Sequence, residues 1–285
     1  MRKGTSKCTS LIALILICTQ IICINANAKS KANSNLRVNA RSAIALDKES
    51  HAVLFEQNAY EIVPMASTTK ILTSLIAIEQ GNLDKKVVIS KKAAGIRGST
   101  VGYKENEEIT LRELVFGLMF KSGNDAAIAI AEELGGSVDG FAEIMNHYAR
   151  GIGILDSHFE SPHGLDSGKH YSSAYDLAIL TAKGMDYDLF REVVGSKQIS
   201  KEKYNFTRDY NNINKILWRI PGANGVKTGY TGQAGKCLVS SINKNGKDII
   251  IVVLNCPDRW NVTEKIYNHV MEKVAFGNHT VKELV

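Results

Sequence analysis

Residues 247–254 read Lys-Asp-Ile-Ile-Ile-Val-Val-Leu, a near-continuous apolar run. A strand of that composition is covered on both faces. Asn245-Gly246, just before it, is the dipeptide of a two-residue hairpin turn, so 237–242 is expected to pair with it. That turn sets residue 237 opposite 254 and residue 235 opposite 256. Downstream, 261–276 has helical spacing and should pack on the sheet. At the other end of the chain, Ser42–Asp47 and 52–56 read as two further strands, joined by the polar Lys48-Glu49-Ser50. Strands at both ends therefore bracket the middle of the sequence.

That middle is helical. Thr110 and Glu113 form a capping box ahead of Leu114, Val115 and Leu118. A second helix, 125–134, stops at Gly135-Gly136. Two more are expected at about 138–150 and 172–184. The simplest architecture is an α+β fold: one antiparallel sheet with helices on both faces and an inserted helical lobe. The cleft between sheet and lobe is the expected place for chemistry.

The first 28 residues do not read as fold. Arg2, Lys3 and Lys7 precede an apolar run from Leu11 to Ile24, and Ala26-Asn27-Ala28 offers small residues before Lys29. This is the pattern of a secretory signal peptide, and the run is short for a membrane-spanning helix. The alternative is a retained N-terminal anchor. Cys18 and Cys23 each follow Ile, which disfavours a lipoprotein. The expected mature chain, 29–285, is ample for one large domain. Removing three basic residues and no acidic ones lowers the net charge from +6 to +3. No Lys/Arg run is interleaved with aromatics, which argues against nucleic acid. A slight positive balance suits an anionic wall or membrane surface. Only Cys237 and Cys256 remain. On the hairpin they would share a face but sit on a diagonal, too far apart for a disulfide. Two free buried thiols are expected, with no metal site.

Three short motifs carry the chemistry. Ser67-Thr68-Thr69-Lys70 opens a helix that continues through Ile71, Leu72, Leu75, Ile76 and Ile78 to Gly81 and is apolar nearly all round. Such a helix is buried. Residues three apart share a face, so the Lys70 amine can reach the Ser67 hydroxyl. Burial favours a neutral amine, which can take the serine proton. Ser122-Gly123-Asn124 falls at a helix break. Lys227-Thr228-Gly229 lies on a glycine-bearing strand edge, where a ligand backbone can lie alongside. Singly, each motif fits an ordinary role: an N-cap, a helix break, a glycine-rich turn. Jointly they supply a nucleophile, an amine base, a relay hydroxyl and a cationic anchor, the equipment of acyl transfer through a serine ester.

The order of the motifs, with 55 residues from Ser67 to Ser122 and 103 from Asn124 to Lys227, resembles the penicillin-binding serine acyltransferases. The flanks Ala66–Lys70, 121–127 (Lys-Ser-Gly-Asn-Asp-Ala-Ala), His163-Gly164-Leu165-Asp166 and 225–231 (Gly-Val-Lys-Thr-Gly-Tyr-Thr) look like the low-molecular-mass D-alanyl-D-alanine carboxypeptidases over essentially all of 38–276. The resemblance implies a β-lactamase/transpeptidase-like fold with a five-stranded antiparallel sheet. It also implies an exported enzyme that removes the terminal D-alanine of peptidoglycan stem peptides and is acylated by β-lactams. No cofactor is implied, and a monomer is expected. Ser67 would be the nucleophile, Lys70 the general base and Ser122 the proton relay. Asn124 would bind a substrate amide and help fix Lys70, while Lys227, Thr228 and Gly229 receive the terminal carboxylate side. The N–H of Tyr230 would join that of Ser67 as an oxyanion donor. Arg259 falls where many members place an arginine near the carboxylate.

His163 and His170 are expected to be structural rather than catalytic. Better-known members carry a C-terminal β domain and an amphipathic anchor; this chain stops at Val285 and is expected to have neither. Three rivals remain: an endopeptidase of the same superfamily, a class A β-lactamase and a non-enzymatic β-lactam sensor. The β-lactamase needs a Glu-x-x-x-Asn pattern before Lys227, and none occurs in 125–226. The sensor needs transmembrane helices and a signalling domain.

Overall fold

The computed structural model describes residues 36–273. The expected signal peptide, its cleavage site and the end of the 261–276 helix lie outside them. The strands are β1 (Ser42–Asp47), β2 (Val53–Gln57), β3 (Lys86–Val88), β4 (Glu108–Thr110), β5 (Gln198–Ile199), β6 (Tyr210–Asn211), β7 (Ala223–Thr231), β8 (Gly235–Lys244) and β9 (Lys247–Leu254). After a 3-10 turn at Ala66–Thr69, the helices are α1 (Lys70–Gln80), α2 (Lys91–Ala94), α3 (Leu111–Phe120), α4 (Asn124–Gly135), α5 (Val138–Gly151), α6 (Ala174–Gly184), α7 (Asp188–Gly195), α8 (Ile216–Arg219) and α9 (Arg259–Lys273).

The apolar run 247–254 is the middle strand of a five-stranded antiparallel sheet ordered β2-β1-β9-β8-β7. Its alternation divides one continuous run between two cores. Ile250, Val252 and Leu254 join α1 and the helical lobe in the larger core. Ile249, Ile251 and Val253 join residues of α8 and α9 in the smaller one. Truncating one of these isoleucines to Ala would cost about 2–5 kcal/mol. The β8–β9 hairpin closes on Asn245 and Gly246, both at positive φ (52° and 80°), with Lys244 opposite Lys247. That is the primed-turn geometry expected of Asn-Gly.

Two expectations need correction. Cys237 and Cys256 are both buried and free, but they occupy opposite cores rather than one face. The reason is Asn255, whose φ of 45° breaks the strand after Leu254. The Cys256 N–H consequently reaches the Lys236 carbonyl (2.8 Å), one residue out of register. The capping box is half formed. Thr110 accepts from the Glu113 N–H (3.2 Å), but the Glu113 carboxylate turns inward to Thr207 N (2.9 Å), Thr207 Oγ1 (2.5 Å) and the Tyr210 hydroxyl (2.8 Å). A buried carboxylate is better satisfied by three donors than by its own helix start.

Helix α1 runs through the larger core, with Ile71, Leu72, Leu75, Ile76 and Ala77 fully buried. It packs against α3, α4, α5, α6 and α7, and its first turn lies against β7. Gly136 ends α4 at φ 68°, the left-handed stop expected there. The small sheets β3–β4 and β5–β6 and the short helices α2, α7 and α8 were not anticipated.

Candidate active site

Ser67 sits where a 3-10 turn feeds α1. Ala66, at φ 52°, is left-handed although it is not glycine. Two threonine hydroxyls stitch this turn: Thr68 Oγ1 donates to the Met65 carbonyl (2.7 Å) and Thr69 Oγ1 to the Ala66 carbonyl (2.8 Å). The Ser67 N–H belongs to the first amides of the turn, which have no partner within a helix. Three residues on, the fully buried Lys70 presents its Nζ to Ser67 Oγ (2.9 Å), Asn124 Oδ1 (2.8 Å) and the His163 carbonyl (2.8 Å).

Those three oxygens set what a neutral amine can do here. Asn124 Oδ1 and the His163 carbonyl can only accept, so they take two N–H bonds. A neutral amine has two N–H bonds and one lone pair. The lone pair is then left for the Ser67 hydroxyl. Burial first, then the charge of Lys227, drive the Lys70 amine well below the ordinary lysine range, against a smaller pull from Asp125.

The break between α3 and α4 delivers Ser122 and Asn124. Ser122 has φ 57°, and Gly123, not Ser122, occupies the cap position of α4. Asn124 is used at both ends: its Oδ1 holds Lys70 and its Nδ2 donates to the Arg97 carbonyl (2.7 Å). Asp125 accepts from the N–H groups of Val101 (3.0 Å), Gly102 (2.8 Å) and Tyr103 (3.2 Å). The two residues thus clamp the 97–103 loop beside the site. Ser122 Oγ receives a hydrogen bond from Lys227 Nζ (3.1 Å). It is paired with the anchor lysine, while the 2.9 Å partner of Lys70 is Ser67.

Lys227 is almost fully buried on β7, an edge strand, and also donates to the Thr228 carbonyl (2.9 Å). Burial, then repulsion from Arg259, lower its pKa to about 7. Gly229 is where β7 meets the serine turn. A Cβ there would lie 3.1 Å from Ser67 N, Met65 O and Ala66 Cβ. A side chain there would press on the turn, so glycine eases the close approach of β7 to the Ser67 turn. The Tyr230 ring itself is exposed. Arg259, half buried, donates through Nη1 to the carbonyls of Gly229 (2.7 Å) and Cys237 (3.0 Å). It braces this strand from behind and adds positive potential next to Lys227.

Both histidines are hydrogen-bonded and buried, as expected of structural residues. His163 Nδ1 accepts from Leu165 N (3.2 Å), and burial, then the charge of Lys70, push its pKa down to about 3. Burial lowers His170 to about 4. The motif reading missed the His163 carbonyl and Asp125 as parts of the site. The flanking His163-Gly164-Leu165-Asp166 and 121–127 stretches carried both residues in plain view. Nothing in residue type alone marks a backbone carbonyl as a ligand for Lys70.

A family model described as D-alanyl-D-alanine carboxypeptidase matches residues 27–258. D-alanyl-D-alanine carboxypeptidase DacF of Bacillus subtilis is 34% identical over 251 residues, covering 86% of this chain and 64% of that protein. DacC of Escherichia coli is 36% identical over 247 residues, covering 80% and 60% respectively. The chain therefore spans less than two thirds of the length of these two relatives. Among solved structures, the Streptomyces K15 DD-transpeptidase superposes with a TM-score of 0.78 at 30% identity, covering 84% of this chain and 99% of that one. The D-alanyl-D-alanine carboxypeptidase of Mycobacterium tuberculosis H37Rv gives 0.79 at 28% identity, covering 85% and 94%.

Proposed function

The chain belongs to the D-alanyl-D-alanine carboxypeptidase family of serine peptidases, and from that membership we propose that it removes the terminal D-alanine from peptidoglycan stem peptides through an acyl-enzyme on Ser67. The observation that carries this reading is the contact set of the buried Lys70 amine: two obligate acceptors and the Ser67 hydroxyl. Ser67 Oγ attacks the carbonyl carbon of the penultimate D-alanine while its proton passes to Lys70 Nζ. The oxyanion is held by the N–H groups of Ser67 and Tyr230. The C–N bond then breaks, and the proton taken up by Lys70 passes by way of the Ser122 hydroxyl to the leaving amine, which leaves Lys70 neutral again. Water attacks the ester, Lys70 acts again as base, and Ser67 is regenerated. Lys227 and Thr228 hold the terminal carboxylate, with Arg259 supporting their strand and reinforcing the field. Asn124 fixes Lys70 and borders the substrate amide.

A β-lactam presents a carboxylate and a strained amide to the same groups and acylates Ser67. The signal-like segment supports export, with action at the outer face of the membrane or in the wall. The enzyme works as a monomer. Likeness over 84% of this chain and 99% of the Streptomyces K15 DD-transpeptidase supports a second reading, in which an amine rather than water takes the acyl group. The test is incubation with diacetyl-Lys-D-Ala-D-Ala, with and without an amine acceptor. Free D-alanine that disappears in Ser67→Ala supports the carboxypeptidase. A product lengthened by the acceptor supports transfer, and cleavage confined to cross-linked muropeptides supports the endopeptidase. Rapid penicillin hydrolysis would overturn all three.

A further inference from the structure

The threonine before the base lysine has no part in the chemistry above, yet it lies in a directional chain of hydrogen bonds that ends at the nucleophile turn. The Glu160 N–H donates to His170 Nδ1 (3.0 Å), so Nδ1 carries a lone pair. In the neutral ring the proton must then be on Nε2. His170 Nε2 lies 2.8 Å from Thr69 Oγ1, and Thr69 Oγ1 lies 2.8 Å from the Ala66 carbonyl. The carbonyl can only accept, so Thr69 donates to it and must accept from His170. Every donor in the chain is thereby assigned: Glu160 N–H to His170, His170 Nε2–H to Thr69, Thr69 O–H to Ala66.

The end of that chain is the residue with φ 52° immediately before Ser67. A non-glycine residue in the left-handed region costs energy and persists only when its surroundings hold it there. A second observation ties the same loop to the same atoms. Gly164, at φ 80°, is seated so closely on the turn that a Cβ would overlap both the Ala66 carbonyl and Thr69 Oγ1. His170 itself is buried, packed edge-on to Phe159 at 5.9 Å. The loop that carries the His163 carbonyl to Lys70 is therefore fastened to the turn that carries Ser67. Movement of one would move the other.

We propose that His170 is a positioning residue for acylation, acting through Thr69 on the Ala66 carbonyl to hold Ser67 in line with Lys70. This rests on Ser67 being the nucleophile. The test is stopped-flow acylation by a fluorescent penicillin, with rates referred to the fraction of sites that can be titrated, alongside D-alanine release and melting temperature. His170→Asn retains an acceptor for the Glu160 N–H but cannot reach Thr69. His170→Gln can still donate to Thr69. Thr69→Val removes the hydroxyl at constant shape. The acylation rate constant should fall about 10- to 100-fold in His170→Asn and in Thr69→Val, with little change in the binding constant. It should stay within about threefold of wild type in His170→Gln, which keeps the link to Thr69. Combining His170→Asn with Thr69→Val should add nothing, because both cut one chain. If His170→Asn does not fold, Thr69→Val alone carries the test. Wild-type rates per active site in Thr69→Val, or equal loss in the Gln and Asn variants, would overturn the assignment. A wild-type protein that neither acylates nor releases D-alanine would instead overturn the reading of Ser67.

Discussion

Lys70 and Lys227 are the same residue type, both buried, and both pushed down from the usual lysine range. Their surroundings assign them opposite work. Lys70 stands at a helix start among three oxygens, two of which can only accept, and the direction left over points at a hydroxyl. Lys227 stands on a strand edge with one carbonyl and one hydroxyl, close enough to Arg259 to feel its charge. The first environment favours a neutral base. The second holds the amine near its titration point, so that an arriving anion stabilises the charged form. Burial alone does not distinguish them; the oxygens each amine faces and the charges beside it do.

Removing each lysine separates the two roles, and the largest effect belongs to the base. Lys70→Met should reduce the acylation rate constant about 10²- to 10⁴-fold, the range of a general base, while leaving KM nearly unchanged. Stopped-flow acylation checks this. A loss confined to KM would mean that both lysines are anchors. Lys227→Met should act on the other parameter. A charge-assisted hydrogen bond contributes about 1.5–3 kcal/mol, so kcat/KM should fall about 10- to 150-fold, mainly through KM. D-alanine release against substrate concentration reads it directly.

The pH dependence sharpens the same contrast. kcat/KM reports the free enzyme, in which Lys227 titrates at about 7. Above that pH it loses its proton and its hold on the carboxylate, so kcat/KM should decline on the alkaline side while kcat changes little. Lys227→Arg keeps its charge and should carry the decline to higher pH. A decline that stays in place would locate the titrating group elsewhere.

Outside this pair, the smallest predicted effect is on stability. His163 and His170 have folded pKa values near 3 and 4, below the unfolded 6.5. Well above pH 6.5 both are neutral in either state and contribute no slope. As pH falls below that, the unfolded chain binds protons that the folded chain refuses, so stability drops by about 1.4 kcal/mol per pH unit for each histidine. Urea titrations between pH 6.5 and 5 should show this slope, to which His269, also lowered, adds, and it should be shallower in His170→Gln. An unchanged slope in that variant would mean that His170 takes its proton while folded.

Much of this is legible in the sequence. The 247–254 run and its Asn-Gly turn are local signals, and they placed the central strand, its partner and their register. The Ser67–Lys70 spacing likewise placed hydroxyl and amine on one face. What stayed hidden depends on tertiary contact. The inward turn of Glu113 requires Thr207 and Tyr210, some 94 and 97 residues away. The split of the two cysteines between cores follows from the backbone of a single residue, Asn255, which is not a glycine. The pairing of Ser122 with Lys227 joins a helix break to a strand edge 105 residues on. In each case the residue type admits several partners, and only packing chooses.

The central claim is that one buried lysine works neutral while the other works charged. Lysine-specific carbon-13 and nitrogen-15 NMR, with Lys70→Arg and Lys227→Arg used for assignment, reads both amines in one titration. The account predicts a Lys70 amine that loses its proton well below the ordinary lysine range and a Lys227 resonance that crosses near pH 7. A Lys70 amine that titrates in the ordinary lysine range would contradict it.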